Sequence, residues 1–244
     1  MNRKLLYLLS LFTCMPGQSA LAEEQRPIIV ELFTSHGCSS CPAADKIVKE
    51  FAESDKRLMP LSFHVTYWDY LGWKDPYASD EATSRQRNYA QLAGKRNVFT
   101  PQVMVDGVYS AVGNNHDDVN NAIRQAENAA PIVPISIKTD KYDVLIDISA
   151  KEDGPVSTPS GAVVWLFYYN KYNMTPVNGG ENSGKTIENI NNVVDIKRLG
   201  YWHNSAAQFH IPKNQLQGDG LVVILQSSPQ NQILGAAVYD NTKS

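Results

Sequence analysis

The sequence predicts an α/β domain opened by a parallel β-α-β unit and followed by an antiparallel, β-sandwich-like module. Three observations carry this. A β-branched run at Ile28, Ile29 and Val30 precedes apolar residues at helical spacing, and a second apolar run follows at 58–65. Asp106-Gly107 stands between two short apolar runs, a strong hairpin signal. Beyond residue 131 helical periodicity gives way to strand-like runs separated by Gly, Pro, Ser and Asn clusters.

The first 22 residues read as an export signal. Arg3 and Lys4 precede the apolar run 5–12, and Ala20-Leu21-Ala22 completes a small-x-small cleavage pattern. That run is too short to span a bilayer, and no later segment approaches the roughly 20 apolar residues a membrane helix needs. A mature chain beginning near Glu23 and located in the periplasm or outside the cell is expected, with no membrane span. A lipid anchor at Cys14 is the alternative, but Phe12, Thr13 and Met15 fit that pattern poorly. Losing Arg3 and Lys4 takes the formal charge from -3 to -5, so nucleic acid is not an expected partner.

In the expected first domain, 23–130, residues 27–33 form a buried strand and 34–37 a turn. Ala43, Ala44, Ile47, Val48 and Phe51 then mark a helix with Pro42 near its start, where the missing amide proton costs nothing. Residues 58–65 are the second strand, placed parallel to the first. An aromatic segment from Tyr67 leads into a helical insertion over 80–95. Residues 102–105 and 108–112 form the hairpin, and 114–130 a helix with Val119, Ala122, Ile123 and Ala126 on one face. In the expected second module, 131–244, strands are predicted at 132–138, 142–150, 162–169, 192–199, 221–227 and 232–239, with loops at 153–161 and 178–184.

Export removes Cys14 and leaves Cys38 and Cys41, two residues apart. An oxidising compartment permits a disulfide between them, yet so small a ring removes little entropy from the unfolded chain. Chemistry therefore explains the pair better than stapling. A reactive thiolate needs an electropositive setting, and Cys38 falls where the helix begins, near unsatisfied amides and the positive end of the dipole. Cys38 is the expected nucleophile, and Cys41 resolves the mixed disulfide. Two competing readings stand beside this one. The pair is an inert disulfide, or it binds a metal with His36 and His64, soft thiolates favouring Cu(I).

Strand, Cys38-Ser39-Ser40-Cys41-Pro42, helix, strand, and Thr100-Pro101 before a hairpin resemble the thioredoxin superfamily. More narrowly, Val30-Glu31-Leu32-Phe33-Thr34-Ser35, Phe63-His64-Val65, residues 67–76 and Thr100-Pro101-Gln102 are similar to a secreted thioredoxin-like family catalogued as domain of unknown function 1223. The resemblance implies that Pro101 is a cis-proline facing the cysteines. The backbone of Thr100 would then pair with an extended substrate. It also implies that the insertion hangs over the cysteines, so that Trp68 and Trp73 line a substrate groove. Packing of these aromatics onto the sheet is the plain alternative. Where thioredoxin carries a buried acid, this chain has Leu32; Glu31 lies one residue earlier and points to the other face of the strand. Thr66 stands where the narrower family usually has an acid.

Among other candidates, His36 as a cation would favour the Cys38 thiolate, while His64 ends a core strand and reads as a satisfied buried histidine. His203, His210 and Met174 form no recognisable site. No phosphate-binding glycine loop, serine elbow or paired-histidine zinc motif occurs. The expected function is thiol–disulfide exchange without a cofactor or resident metal, using a thiol or disulfide substrate and an unidentified redox partner. The alternatives are a copper-binding module and a binding protein that retains only the scaffold.

Overall fold

The central strand is buried on both faces, and its alternation sorts the helices. β1 (Ile28–Thr34) sends Ile28, Val30 and Leu32 to one side, where they pack on Ala44 and Val48 of α1 (Cys41–Ser54) and on Val119, Ala122 and Ile123 of α3 (His116–Glu127). Ile29 and Phe33 go to the other side, against Ala82 and Tyr89 of α2 (Asp80–Leu92). The computed structural model describes residues 26–127, 133–150 and 161–243. The expected signal segment with Cys14, the expected boundary at 130/131 and residues 153–160 of the expected loop lie outside these.

β2 (Leu58–His64) runs parallel to β1 in register Ile28↔Leu58 to Thr34↔His64, completing the thioredoxin-like β-α-β unit. β3 (Gln102–Val105) lies antiparallel on the other flank of β1 and turns through Asp106 and Gly107, both at positive φ, into β4 (Tyr109–Val112). Helix α2 opens with Ser79 accepting the Ala82 amide and closes before Gly94, which takes positive φ.

The remaining strands are β5 (Ile135–Thr139), β6 (Asp143–Ile148), β7 (Ala162–Pro176), β8 (Thr186–Trp202), β9 (Ala207–Pro212), β10 (Gly220–Ser227) and β11 (Ile233–Asp240). They are antiparallel to their mutual neighbours, as expected for this half. Among the described residues they divide between two sheets. β11, β10, β7 and β8 extend the first sheet in the order β11-β10-β7-β8-β2-β1-β3-β4, while β5-β6-β9 forms a three-stranded sheet. Val144, Ile146 and Ile148 of the small sheet pack on Val164, Leu166 and Val223 of the large one, giving the sandwich.

The seam between the halves is β2 beside β8, parallel at Ser62↔Asn192, with Ser62 Oγ donating to Ile190 O (2.9 Å) and Asn191 Nδ2 to Pro60 O (3.0 Å). Phe33, Phe63, Phe167, Tyr169 and Ile224 share one core across it. Phe63 meets Phe167 edge to face at 5.3 Å, a geometry worth about 0.5–1.5 kcal/mol beyond area burial. β7 and β8 run to 15 and 17 residues, longer than predicted, and this hairpin passes beyond the sheet to lie along α1. β9 was not among the predicted strands. Its outward Gln208 and His210 mask the alternation that turns Phe209 and Ile211 inward.

Candidate functional site

The loop between β1 and α1 holds the two cysteines, which are disulfide-bonded with Cα atoms 5.5 Å apart. The Cys38 amide donates to Ser35 O (3.2 Å) and the Cys41 amide to Cys38 O (3.3 Å), a turn that delivers Cys41 as the first helical residue. Cys38 therefore lies just ahead of the helix, and Cys41 opens it. Ser40 occupies the N-cap without a side-chain cap bond, and Pro42 sits in the first turn. Both cysteines are about 1% exposed.

What covers them comes from the far half of the chain. The tip of the β7–β8 hairpin, Gly180–Asn182, lies on the loop. The Glu181 amide donates to Gly37 O (3.2 Å), and Asn182 Nδ2 donates to His36 O (3.0 Å) and Cys38 O (2.7 Å). Glu181 Oε2 accepts the Ser39 amide (2.8 Å), which holds this carboxyl below its usual range. The approach needs glycine at Gly180 on two counts, because a Cβ there would stand 3.0 Å from Gly37 Cα and its φ is positive.

The sequence-derived aromatics border the same loop. Trp68 and Trp73 are both half-buried. Trp68 Cβ lies 3.2 Å from where a Gly37 Cβ would stand, and Trp68 Nε1 donates to Thr100 Oγ1 (2.7 Å). Trp73 packs on Gly179 and faces the His36 ring at 5.7 Å. The Thr100-Pro101 bond is cis, and Pro101 and Ala44 of α1 both close on Gly113. A cleft of about 520 Å³ runs between α1 and β8, lined by Ser39, Pro42, Asp45, Lys49, Lys185 and Glu188.

Beside the loop lies a buried polar cluster. His36 and His64 are each about 1% exposed, with rings 4.6 Å apart. Asp75, from the insertion, accepts the His36 amide (2.8 Å), the Tyr77 amide (3.0 Å) and a bond from His64 Nδ1 (2.8 Å), and its Oδ1 lies 3.3 Å from His36 Nδ1. Burial alone would raise the Asp75 carboxyl; the two histidines outweigh it and hold the group well below the carboxylate range. Burial lowers His64, but Asp75 more than offsets it and raises the imidazole above its ordinary value. Asp45, one turn after Cys41 on α1, is pushed up to about 6 by burial, against the pull of His64, Asn189 and His36. His36 Nε2 meets Asn189 Oδ1 at 2.5 Å and His64 Nε2 meets Asn192 Oδ1 at 3.1 Å.

Glu31 stands apart. It is fully buried on the α2 face of β1, where Arg85 Nε and Nη2 (2.5 and 2.9 Å) and the Tyr89 hydroxyl (2.6 Å) donate to it. The site residues that the sequence does not single out are Asp45, Asp75, Glu181, Asn182, Asn189 and Asn192. Asp45 had a signal, a charge beside Ala44 and Val48 on the inward face of α1. Nothing local marks the four hairpin residues.

Fold and site together define a protein with a disulfide-bonded C-x-x-C pair in a thioredoxin-like α/β fold. Residues 29–226 match the family model described as "Protein of unknown function (DUF1223)", and the chain belongs to that family. Protein AGR_C_4864 from Agrobacterium tumefaciens has a crystal structure similar to this one, with TM-score 0.76 and 29% identity over 91% of this chain and 98% of that one. The hypothetical protein PH1083 from Pyrococcus horikoshii OT3 aligns at 15% identity, covering 45% of this chain and 84% of that one, with TM-score 0.23, too low to inform the fold. No curated protein matches.

Proposed function

We propose that this chain is an exported thiol–disulfide oxidoreductase of the thioredoxin superfamily, acting in the periplasm or outside the cell. The observation that carries the reading is the disulfide joining Cys38 and Cys41 across only two residues at the start of α1, where it opens and closes with little rearrangement. In the reducing direction the Cys38 thiolate attacks a substrate disulfide, forming a mixed disulfide and expelling one substrate thiolate, which takes a proton. Cys41, deprotonated, attacks Cys38 Sγ, releases the second substrate thiol and leaves the protein as its disulfide. Two electrons pass to the substrate, and a redox partner with a dithiol restores the reduced pair. The reverse sequence oxidises a substrate dithiol.

The substrate edge is the backbone of Thr100, with Trp68 as the apolar contact beside it and Trp73 bordering the cysteine loop at His36. Because both cysteines are buried, exchange requires the Gly180–Asn182 tip or Trp68 to move aside. The test uses the mature chain, reduced, with a peptide disulfide. Cys38→Ser abolishes exchange, while Cys41→Ser accumulates a mixed disulfide visible by mass spectrometry. Exchange by Cys38→Ser at the parent rate overturns the assignment.

A further inference from the structure

The cluster beside the cysteines has more donor atoms than it has partners. His36 Nδ1, Asp45 Oδ1 and the amide nitrogens of Asn189 and Asn192 are buried and make no well-formed hydrogen bond among the described residues, although Asp75 lies close enough to His36, and Asn189 to Asp45, to pull on their charge. Such concentration is unusual, since buried polar groups are nearly always bonded. These residues are drawn from three places, the loop before Cys38, helix α1 and the first part of β8, and His64 stands beside them at the end of β2. Asp75, from the insertion, joins them, and Asp45 feels His64, His36 and Asp75 together.

The hydrogen bonds also fix which nitrogen of each ring is available. Asn189 Oδ1 and Asn192 Oδ1 only accept, so His36 Nε2 and His64 Nε2 each carry the proton. Both Nδ1 atoms therefore turn towards the Asp75 carboxylate, at 3.3 and 2.8 Å. A bare imidazole lone pair facing a carboxylate at that range is repelled. Each Nδ1 needs something positive, either its own proton or a shared cation. A metal-bound histidine characteristically donates its other ring N–H to a carbonyl or carboxylate oxygen, the role Asn189 and Asn192 fill here. The ligand atoms of His36, His64 and Asp75 lie within 4.8 Å of one another.

We propose that His36 Nδ1, His64 Nδ1 and the Asp75 carboxylate form a buried binding site for one first-row divalent cation of the zinc class. Two imidazoles and carboxylate oxygens suit Zn²⁺ rather than Cu(I), which the softer thiolates would select. The donor set excludes Cys38 and Cys41, so the site does not depend on their oxidation state or on whether they exchange. One dication does the work of two ring protons. It also ties the loop two residues before Cys38 to β2 and to the insertion.

The site is closed to solvent, so the test loads metal during folding. The mature chain, its cysteines kept as the disulfide, is unfolded in guanidinium with a chelator and refolded with one equivalent of Co²⁺ or Zn²⁺, then desalted. The expected result is one ion retained per chain by atomic emission, a visible Co²⁺ d–d band without thiolate charge-transfer absorption, and a higher Tm than the metal-free sample. His36→Gln preserves a polar group of similar reach and guards against misfolding as an explanation; it and Asp75→Asn should weaken Co²⁺ binding at least ten-fold. A Cys38→Ser/Cys41→Ser double variant should bind as the parent does. Refolded parent that keeps no metal, or His36→Gln and Asp75→Asn that bind as tightly as the parent, assigns the cluster to protons and water. Binding that disappears in the cysteine double variant moves the metal to the thiols; each of these outcomes overturns the proposal.

Discussion

Two charged clusters are buried on opposite faces of the central sheet, and they are built differently. On the α2 face, Glu31 takes three donors from Arg85 and Tyr89, and Arg85 is further enclosed by Phe167 (4.9 Å), Tyr89 (5.2 Å), Trp165 and Phe63. Gln226 closes the set by donating to the Tyr89 hydroxyl (2.9 Å). On the other face, His36 Nδ1 and Asp45 Oδ1, with the amide nitrogens of Asn189 and Asn192, lack a well-formed hydrogen bond, next to a pair of cysteines. A saturated cluster of balanced charge serves packing. An unsaturated one beside a reactive group keeps capacity for a proton or an ion.

The strongest way to break this contrast is to open the saturated cluster. Arg85→Ala strands the Glu31 carboxylate in the core and should cost about 3–5 kcal/mol of stability in urea denaturation. Replacing both partners, Glu31→Leu with Arg85→Met, should recover most of that loss. A cost under about 1 kcal/mol for Arg85→Ala would make the pair expendable and erase the distinction.

The second effect is a pH dependence belonging to the unsaturated side. In metal-stripped protein Asp45 sits at about 6 in the folded chain against an ordinary 3.8, so between these values the folded state holds a proton that the unfolded chain has released. The Asp45 contribution to stability therefore falls as pH climbs from about 4 to about 6, by roughly 3 kcal/mol at 1.36 kcal/mol per unit, and is level above that, whereas His64, raised above its ordinary 6.5, withdraws stability only at higher pH. Asp75 acts with the opposite sign and in a separate window, since its depressed carboxyl withdraws stability only as pH drops through and below its ordinary value. Asp45→Asn should flatten the step between about pH 4 and 6 in urea midpoints. A step that survives in the variant belongs to another group.

The smallest effect tests the cap. Glu181 puts a carboxylate on the Ser39 amide, beside the place where reduction creates the Cys38 thiolate. Glu181→Gln should speed alkylation of reduced Cys38 at pH 6.5 by about two- to five-fold, the scale of a single charge at a helix start. A slower reaction would mean that the carboxylate assists the thiol.

The parts of the fold that were legible are those whose evidence is local. Ile28 to Phe33 alternate cleanly, Ala44 and Val48 share a helical face, and Asp106-Gly107 can hardly be anything but a turn. The same alternation placed Glu31 away from the cysteines. The outer parts of β7 and β8 were hidden because Asn170, Lys171 and Asn173 on one strand, and Glu188, Asn189 and Asn191 on the other, break the apolar pattern where the hairpin leaves the sheet. Residues 178–184 read as a separator, since Gly179-Gly180-Glu181-Asn182 has the composition of a loop. Its meaning comes from Gly37, a partner remote in sequence. Half of the buried cluster was hidden for the same reason, His36 and Asn189 being 153 residues apart.

That remoteness has a kinetic side. Asn182, which hydrogen-bonds Cys38 O, is made 144 residues after it. At a chain growth of about 5–20 residues per second, the thiols exist for roughly 7–30 s before their cover has been synthesised. During that interval their first oxidation state is set by the surroundings of the nascent chain rather than by the finished loop. Chains halted at residue 150 should therefore label with maleimide, whereas reduced full-length chains should label far more slowly. The order in which a protein is made can thus expose a reactive pair that its final form conceals.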